Sequence, residues 1–171
     1  MSLNRIGLHI TARDAVGALA AIEDAERRHI PAVWMTTGGA GLDALTLLAA
    51  AAVRTDRVLL GTSITPTWPR HPIAVAQQTQ ALAQLAPGRF RLGVGPSHKS
   101  GIESTFGIDF SAPLGHLREY LRILKSLLQQ GEVEFEGRYY QARASLAQAV
   151  EVPVMASALR RKSFELCGAE A

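Results

Sequence analysis

The chain has 171 residues, of which 47% are apolar and 19% charged, and this composition predicts a single folded domain over residues 1–171 rather than a disordered chain. Its 18 basic and 15 acidic side chains are interspersed, so the net charge of +3 gives no basic stripe of the kind that binds nucleic acid. No apolar run reaches the roughly 18 residues of a membrane span, no leader peptide is recognisable, and the single cysteine, Cys167, can form no internal disulfide. We therefore expect a cytoplasmic protein with no membrane or nucleic-acid partner.

Five short apolar runs are predicted to form strands, at residues 5–10, 32–35, 58–64, 89–96 and 152–156. Because amphipathic segments lie between them, we expect a parallel sheet covered by helices. The first strands start about 25 to 32 residues apart, which is the length of one strand–helix unit with its loops. A (β/α)₈ barrel takes about 250 residues. The five units are therefore a fragment of a barrel, an open α/β layer, or a partial barrel that a partner completes.

The helices between these strands have recognisable ends. Asp14 and Asp43 are predicted N-caps of the first two helices, and Pro72 suits the first turn of the third because its missing N–H needs no partner there. Pro87 and Gly88 end that helix. The later segments are predicted to be a polar loop at 97–112, an amphipathic helix at 114–128, a hairpin insertion at 133–140 and a last helix at 160–170.

Several motifs stand in order along nearly the whole chain: Asp43–Ala50, Arg54–Thr62, Arg70–Pro72, Pro87–Gly95, Phe106–Phe110, Phe135–Tyr140 and Val152–Val154. In this order and spacing they resemble the bacterial-luciferase-like monooxygenases and their deazaflavin-dependent oxidoreductase relatives. The resemblance implies a TIM-barrel type of α/β fold, with about five βα units present and a hairpin insertion before the fifth strand. It also implies a chain that ends about halfway through the family fold, and a cofactor, FMN or the deazaflavin coenzyme F-420, at the carboxyl ends of the strands.

The resemblance assigns cofactor-binding residues at three strand ends. Family members often carry a non-proline cis peptide in a bulge that backs the isoalloxazine ring, and the matching bond here is Ser63–Ile64. Gly93 and Gly95 would let the backbone of the fourth strand approach a ring closely, although two glycines at a strand end also form plain turns. Ser157–Ala158 matches family backbone that reaches the cofactor's chain or phosphate, and its alternative role is a small-residue start to the last helix.

One histidine is a candidate catalytic residue. His98 stands where some deazaflavin-dependent relatives place a catalytic acid, and a histidine can exchange a proton near neutral pH. A solvated histidine in a polar loop is the alternative. Many relatives also carry an acidic residue followed by histidine after the second strand, but this chain has threonine at 36 and 37 and glycine at 38, so no catalytic role transfers there. No spacing of histidines and carboxylates suggests a metal site.

Two functions follow from these expectations. The first is a luciferase-like oxidoreductase or monooxygenase that uses a reduced flavin or deazaflavin to transform a small-molecule substrate. The alternative is a non-catalytic flavin-binding or structural partial barrel. In either case the first and fifth strands would expose unpaired edges, and exposed edges favour pairing with a second copy, so we expect a homo-oligomer, most simply a dimer.

Overall fold

A parallel sheet organises the structure, a computed structural model that describes residues 6–171. The strands are β1 (Gly7–His9), β2 (Ala32–Met35), β3 (Leu59–Thr62), β4 (Thr65–Pro66), β5 (Phe90–Gly95), β6 (Glu132–Glu136), β7 (Gln141–Ser145) and β8 (Val154–Ala156). The helices are α1 (Ala15–Arg27), α2 (Ala44–Ala52), α3 (Pro72–Leu85), α4 (Lys99–Phe106), α5 (Pro113–Gln130) and α6 (Arg161–Glu170). The first predicted strand included Arg5, which lies outside the described residues.

The five predicted strands are adjacent in space and parallel. β1, β2 and β3 pair in chain order, and β5 pairs with β3, β4 and β8. Because Val94 of β5 pairs with both Thr65 of β4 and Ala156 of β8, β4 and β8 lie on opposite edges of β5. β3 lies within the third strand predicted at 58–64, and β4 continues this strand after an interruption, just beyond the predicted range. The antiparallel pair β6–β7 forms a separate hairpin.

The helices cover one face of this sheet in the same order as the strands. α1, α2, α3, α5 and α6 are each packed against the next. Val33, Leu60 and Leu92 are fully buried within the core that the helices complete. On the opposite face the ring of Trp34 lies across Gly7 and Gly61, where any Cβ would overlap it. This layering is part of a (β/α)₈ barrel, as predicted.

The helix ends follow the predicted capping. The Asp14 carboxylate accepts the Gly17 N–H at 2.7 Å, and the Asp43 carboxylate accepts the Thr46 N–H at 2.9 Å. α3 begins at Pro72 as expected. Within residues 6–171, no helix combines the length and the apolar character that crossing a bilayer requires.

The structure differs from the predicted elements in two places: a predicted loop contains a helix, and the predicted hairpin insertion is present but extends beyond residue 140. The expected polar loop at 97–112 contains the helix α4, whose only buried residue is Ile102, so the apolar periodicity that reveals a helix is absent. The predicted hairpin at 133–140 includes only its first strand and turn. Its second strand lies at 141–145, where the inward side chains are small alanines such as Ala142 rather than the branched or aromatic residues typical of strands.

Two charged side chains fasten the connection between α2 and β3 at the amino end of the sheet. The Glu26 carboxylate on α1 accepts the backbone N–H groups of Asp56, Arg57 and Val58 at 2.9, 3.0 and 3.0 Å. The Arg89 guanidinium, just before β5, donates to three carbonyl oxygens, those of Ala52 at 3.1 Å, Thr55 at 2.9 Å and Val58 at 3.1 Å. Together they satisfy main-chain groups that no strand or helix partner reaches.

Replacing Glu26 tests this connection. Burial opposes ionisation of the Glu26 carboxyl, but the three backbone N–H donors hold its pKa below the ordinary 4.5. We expect Glu26→Gln to lower the free energy of unfolding by about 1 to 2 kcal/mol at pH 7, since the amide loses a charge-assisted acceptor. A carboxyl whose pKa is lower in the folded state stabilises fully above 4.5 and loses that contribution as the pH falls through the folded pKa. The difference between the two proteins should therefore shrink below pH 4.5.

Urea unfolding at several pH values measures this difference. Glu23→Gln is the matched control on the same helix, because Glu23 makes a single contact with Arg54 at 3.4 Å and should change stability by less than about 0.5 kcal/mol. Equal effects of the two substitutions, or a gap that widens at acidic pH, would contradict the role given to Glu26.

Candidate functional site

The interruption of the third strand is a bulge of one extra residue near the carboxyl end of the sheet. Gly61 pairs with Arg91 and Thr65 pairs with Val94, so three residues on one strand face two on the other. The three residues include Ser63–Ile64, and the peptide bond between these two is cis. The geometry expected for this bond is therefore confirmed, while its contact with a cofactor stays a prediction.

The side chain of Thr62 holds the bulge to β5. Its hydroxyl accepts the Gly93 N–H at 2.9 Å and donates to the Gly93 carbonyl at 2.8 Å, and the side chain is fully buried. One hydroxyl thus supplies both hydrogen bonds that the interrupted ladder would have given to Gly93. A Cβ at Gly93 would overlap the Thr62 carbonyl oxygen. The close approach of the neighbouring strand therefore requires glycine at position 93, whether or not a cofactor ring also lies against it.

The other side of the bulge is hydrogen-bonded to the end of β2. The Ser63 N–H donates to the Met35 carbonyl at 2.8 Å, and the Thr37 N–H donates to the Ile64 carbonyl at 3.3 Å. The Thr36 hydroxyl donates to the Ser63 carbonyl at 2.5 Å. The peptide groups of Ser63 and Ile64 consequently have partners in the neighbouring strand end, although the Ser63 side chain itself is exposed.

His9 also lies at this edge, although no sequence motif marks it as a site residue. It is the last residue of β1, and its Nε2 lies 3.1 Å from the Thr36 hydroxyl while its Nδ1 lies 3.2 Å from the Thr11 hydroxyl. The only indication of this contact in the sequence is the position of the two residues along the chain. His9 and Thr36 are polar residues at the carboxyl ends of two neighbouring parallel strands, and such ends meet at one edge.

The ends of β5 and β8 approach each other closely beside the bulge. The Ser157 N–H donates to the Val94 carbonyl at 3.0 Å, and a Cβ at Gly95 would overlap the Ser157 hydroxyl oxygen. The same Cβ would lie 3.4 Å from the Ile64 side chain. The structure thus brings three of the predicted cofactor-binding residues together, Ile64, Gly95 and Ser157, with Ala158 following directly in the chain. Their contact with a cofactor stays a prediction.

A cleft of about 710 Å³ opens next to Ser157. The exposed lining is mostly apolar, with an apolar wall that includes Phe110, Leu114 and Leu159. Four cationic residues are also among the lining residues, namely Lys99, Arg160, Arg161 and Lys162. Lys99 and Arg161 have carboxylate partners on their own helices, at 3.7 and 2.9 Å. Across residues 6–171, no carboxylate lies within ion-pair distance of Arg160 or Lys162. The cleft can therefore hold a ligand with a flat apolar part and an anionic part.

His98 lies in the chain between two residues of this cleft, Ser97 and Lys99. It is the N-cap residue of α4, it is exposed, and its side chain does not cap the helix. Because the His98 imidazole is exposed and does not cap the helix, it is available to contact a ligand. The catalytic role of His98 stays a prediction.

Another histidine, which the sequence analysis also did not identify, lies in the wall behind the cleft. The Phe110 ring is 5.0 Å from the Trp68 ring, which stacks on His116 with centroids 3.7 Å apart. The His116 Nε2 lies 2.6 Å from the Tyr140 hydroxyl. Burial lowers the pKa of His116 to about 4, so its ring is neutral near pH 7. We interpret His116 as a packed part of the wall rather than as a proton-transfer group.

The close approach of β5 to β8 can be tested by adding one methyl group. Gly95→Ala is expected to lower the free energy of unfolding by about 1 to 3 kcal/mol, because the new Cβ overlaps the Ser157 hydroxyl. Ser157→Ala in the same chain should recover part of this loss, since it removes the overlapping oxygen and leaves a carbon at 3.1 Å. Urea unfolding of the single and double variants measures both effects.

Gly101→Ala is the control for this substitution. Gly101 lies inside α4 with no atom within 4 Å of a Cβ there, so alanine should leave stability unchanged or raise it by up to about 1 kcal/mol. Strictly additive effects of Gly95→Ala and Ser157→Ala would show that the two residues do not meet as described.

Comparison with known proteins identifies relatives that cover much of the chain. The family model described as luciferase-like monooxygenase matches residues 1–171. The F420-dependent glucose-6-phosphate dehydrogenase of Beutenbergia cavernae is 43% identical over 126 residues, which are 71% of this chain and 37% of that protein. The enzyme of the same name from Microbacterium testaceum is 39% identical over 114 residues, 64% of this chain and 34% of that protein. The chain thus spans about a third of the curated relatives it matches.

Solved structures share the fold along nearly the whole chain. An F420-dependent secondary alcohol dehydrogenase, in complex with an F420-acetone adduct, superposes with a TM-score of 0.86 at 24% identity and covers 96% of this chain and 55% of its own. The FMN-bound oxygenating constituent of 3,6-diketocamphane monooxygenase from Pseudomonas putida gives 0.75 at 19% identity, with coverages of 88% and 50%. These likenesses confirm the TIM-barrel-type fold, of which the chain forms a part. The family match over residues 1–171 agrees with the motifs and the geometry, and the chain belongs to the luciferase-like monooxygenase family.

Proposed function

We propose that this chain forms the cofactor-binding part of a deazaflavin-dependent oxidoreductase that acts on a small-molecule substrate. The observation that carries the proposal is the cationic cleft, which Ser157 lines at the carboxyl edge of the sheet, and Ser157 is the residue that Gly95 of β5 approaches closely. Ligands of parallel α/β folds bind at this edge. The deazaflavin is favoured over FMN because the curated relatives at 43% and 39% identity are named as F420-dependent. The homodimer and the cytoplasmic location expected above stay predictions.

The residues of the cleft fit the cofactor in two ways. Both candidate cofactors join a flat ring to an anionic tail. The apolar wall at Phe110, Leu114 and Leu159 offers a surface for the ring, and the unpaired Arg160 and Lys162 offer charge for the tail. Arg160 is the N-cap residue of α6 and Lys162 lies in its first turn, and a helix N-terminus also favours an anion.

The chain's own residues would each do part of the work. A bound deazaflavin supplies the atom that accepts or releases a hydride. The backbone around Ile64, Gly95 and Ser157 would orient the ring, and the cationic side chains would hold the tail. The aromatic wall that Phe110 and Trp68 form would keep water from one side of the cleft. His98 would exchange the proton that accompanies oxidation or reduction of the substrate.

Cofactor titration tests the proposal. We expect the protein to bind the deazaflavin, followed by its absorbance and fluorescence, and Arg160→Gln with Lys162→Gln to raise the Kd about tenfold because two charge-assisted contacts are lost. Added salt should weaken binding to the wild-type protein more than binding to the variant. The matched control removes two charges elsewhere, with Arg27→Gln and Arg28→Gln at the end of α1, and should leave the Kd within about twofold of the wild-type value.

The result also separates the other functions. Tighter binding of FMN than of the deazaflavin would favour an FMN-dependent monooxygenase. A colourless protein that binds neither cofactor would favour the structural partial barrel and contradict the proposal.

The role of His98 has a test of its own. His98→Gln is expected to leave the Kd of the deazaflavin within about twofold and to lower kcat by about 10² to 10⁴, because the amide cannot exchange a proton. Turnover would be followed by cofactor absorbance with glucose 6-phosphate and with a secondary alcohol, the substrates that the relatives' names suggest. Unchanged turnover would identify His98 as a solvated surface residue.

A further inference from the structure

The direction of the hydrogen bonds at the carboxyl edge determines which nitrogen of His9 carries a proton. The Thr36 hydroxyl has a single proton, and it donates that proton to the Ser63 carbonyl at 2.5 Å. Toward His9 the same oxygen can only accept. The His9 Nε2, 3.1 Å away, must therefore be the donor.

The second nitrogen of the ring has a different partner. In the neutral ring with its proton on Nε2, Nδ1 is an acceptor, and the Thr11 hydroxyl lies 3.2 Å from it. Adding a second proton to the His9 ring would turn Nδ1 from an acceptor into a donor and would leave Nε2 a donor in both forms. The contact with Thr36 is thus compatible with either charge state of His9.

The hydrogen bonds form a line across three strand ends. His9 at the end of β1 donates to Thr36 after β2, and Thr36 donates to Ser63 in the bulge after β3. All three side chains are exposed at this edge, and the polar atoms of the His9 and Thr36 side chains have protein partners. At the end of β3, the Thr62 hydroxyl joins the same bulge to Gly93 of β5. The bulge is therefore fixed from both neighbouring strands, and His9 is the outermost member on one side.

We propose that His9 is a positioning residue of the cofactor site. By donating from Nε2 it turns the Thr36 hydroxyl toward the Ser63 carbonyl, and so fixes the bulge peptide against which the proposed ring would lie. The part of this inference that concerns the cofactor rests on the proposed function, whereas the orientation of the His9 and Thr36 side chains is independent of it. His9 acts through Thr36 and makes no contact with substrate in this role.

Two measurements test the proposal on the protein. Nitrogen-15 NMR of the histidine rings should show His9 with its hydrogen on Nε2 in the neutral state, and Thr36→Val should remove this preference. Deazaflavin titration should show a rise in Kd of about fivefold to tenfold for His9→Phe and for Thr36→Val. The Kd of the double variant should be no higher than that of either single variant, because both substitutions break the same chain of hydrogen bonds.

Conservative replacements separate positioning from general damage. His9→Gln places an amide donor near the position of Nε2, and Thr36→Ser keeps the hydroxyl, so both should return the Kd to within about threefold of the wild-type value. Thr11→Val is the matched control. It removes the partner of Nδ1 but leaves the line to Ser63, and should change the Kd by less than about twofold. Thermal unfolding of each variant shows whether it is folded.

The outcomes distinguish this inference from the proposed function. Wild-type binding with an unchanged Kd in His9→Phe and Thr36→Val would overturn the positioning role and leave the function standing. Additive losses, or no recovery in His9→Gln, would also overturn it. A His9 ring with its hydrogen on Nδ1 would contradict the orientation itself, whether or not the protein binds a cofactor. Failure of the wild-type protein to bind either cofactor would overturn both proposals.

Discussion

One extra residue in the third strand is the constraint on which the carboxyl edge of the sheet depends. It interrupts the ladder beside β5 and would leave the main chain of Gly93 without partners, and the buried Thr62 hydroxyl supplies both. The same displacement moves the Thr62 carbonyl onto Gly93, so that position tolerates no side chain. It also presents the Ser63 and Ile64 peptide groups to the end of β2. The sequence requirements at 62, 93 and 36 therefore have a common origin.

From the bulge outward, the two sides of the edge differ in chemistry. Toward β1 the contacts are neutral and polar, through Thr36 and His9. Toward β8 they are close steric approaches between Gly95 and Ser157, and beyond these lies the cationic cleft. A ligand with a flat ring and an anionic tail would complement this edge, with the ring at the hydrogen-bonded backbone and the tail at the positive charges. If the proposed cofactor binds in the cleft, this division would define where it lies before any substrate loop is considered.

Much of this fold could be predicted from the sequence because its signals are local. Asp14, Asp43 and Pro72 mark helix starts through contacts within one turn, and the order of the first four predicted strands follows from βα connections of similar length. α4 and the second hairpin strand were missed because burial in them is slight, at Ile102 and at Ala142. The line from His9 to Ser63 could not be deduced locally. It joins three strand ends, and only their alignment in the sheet makes an ordinary histidine part of the edge.

The amino end of the sheet has a consequence for the order in which the chain is made. Glu26 precedes the connection between α2 and β3, so its carboxylate can receive the N–H groups of residues 56–58 as soon as they leave the ribosome. The carbonyl groups of Ala52, Thr55 and Val58 receive their hydrogen bonds from Arg89 only later, because Arg89 is synthesised after α3. During translation the first three strand–helix units thus lack part of their hydrogen bonding until the fourth strand begins. Arg89 sets the earliest point at which the nascent chain can complete the hydrogen bonding of the connection between α2 and β3.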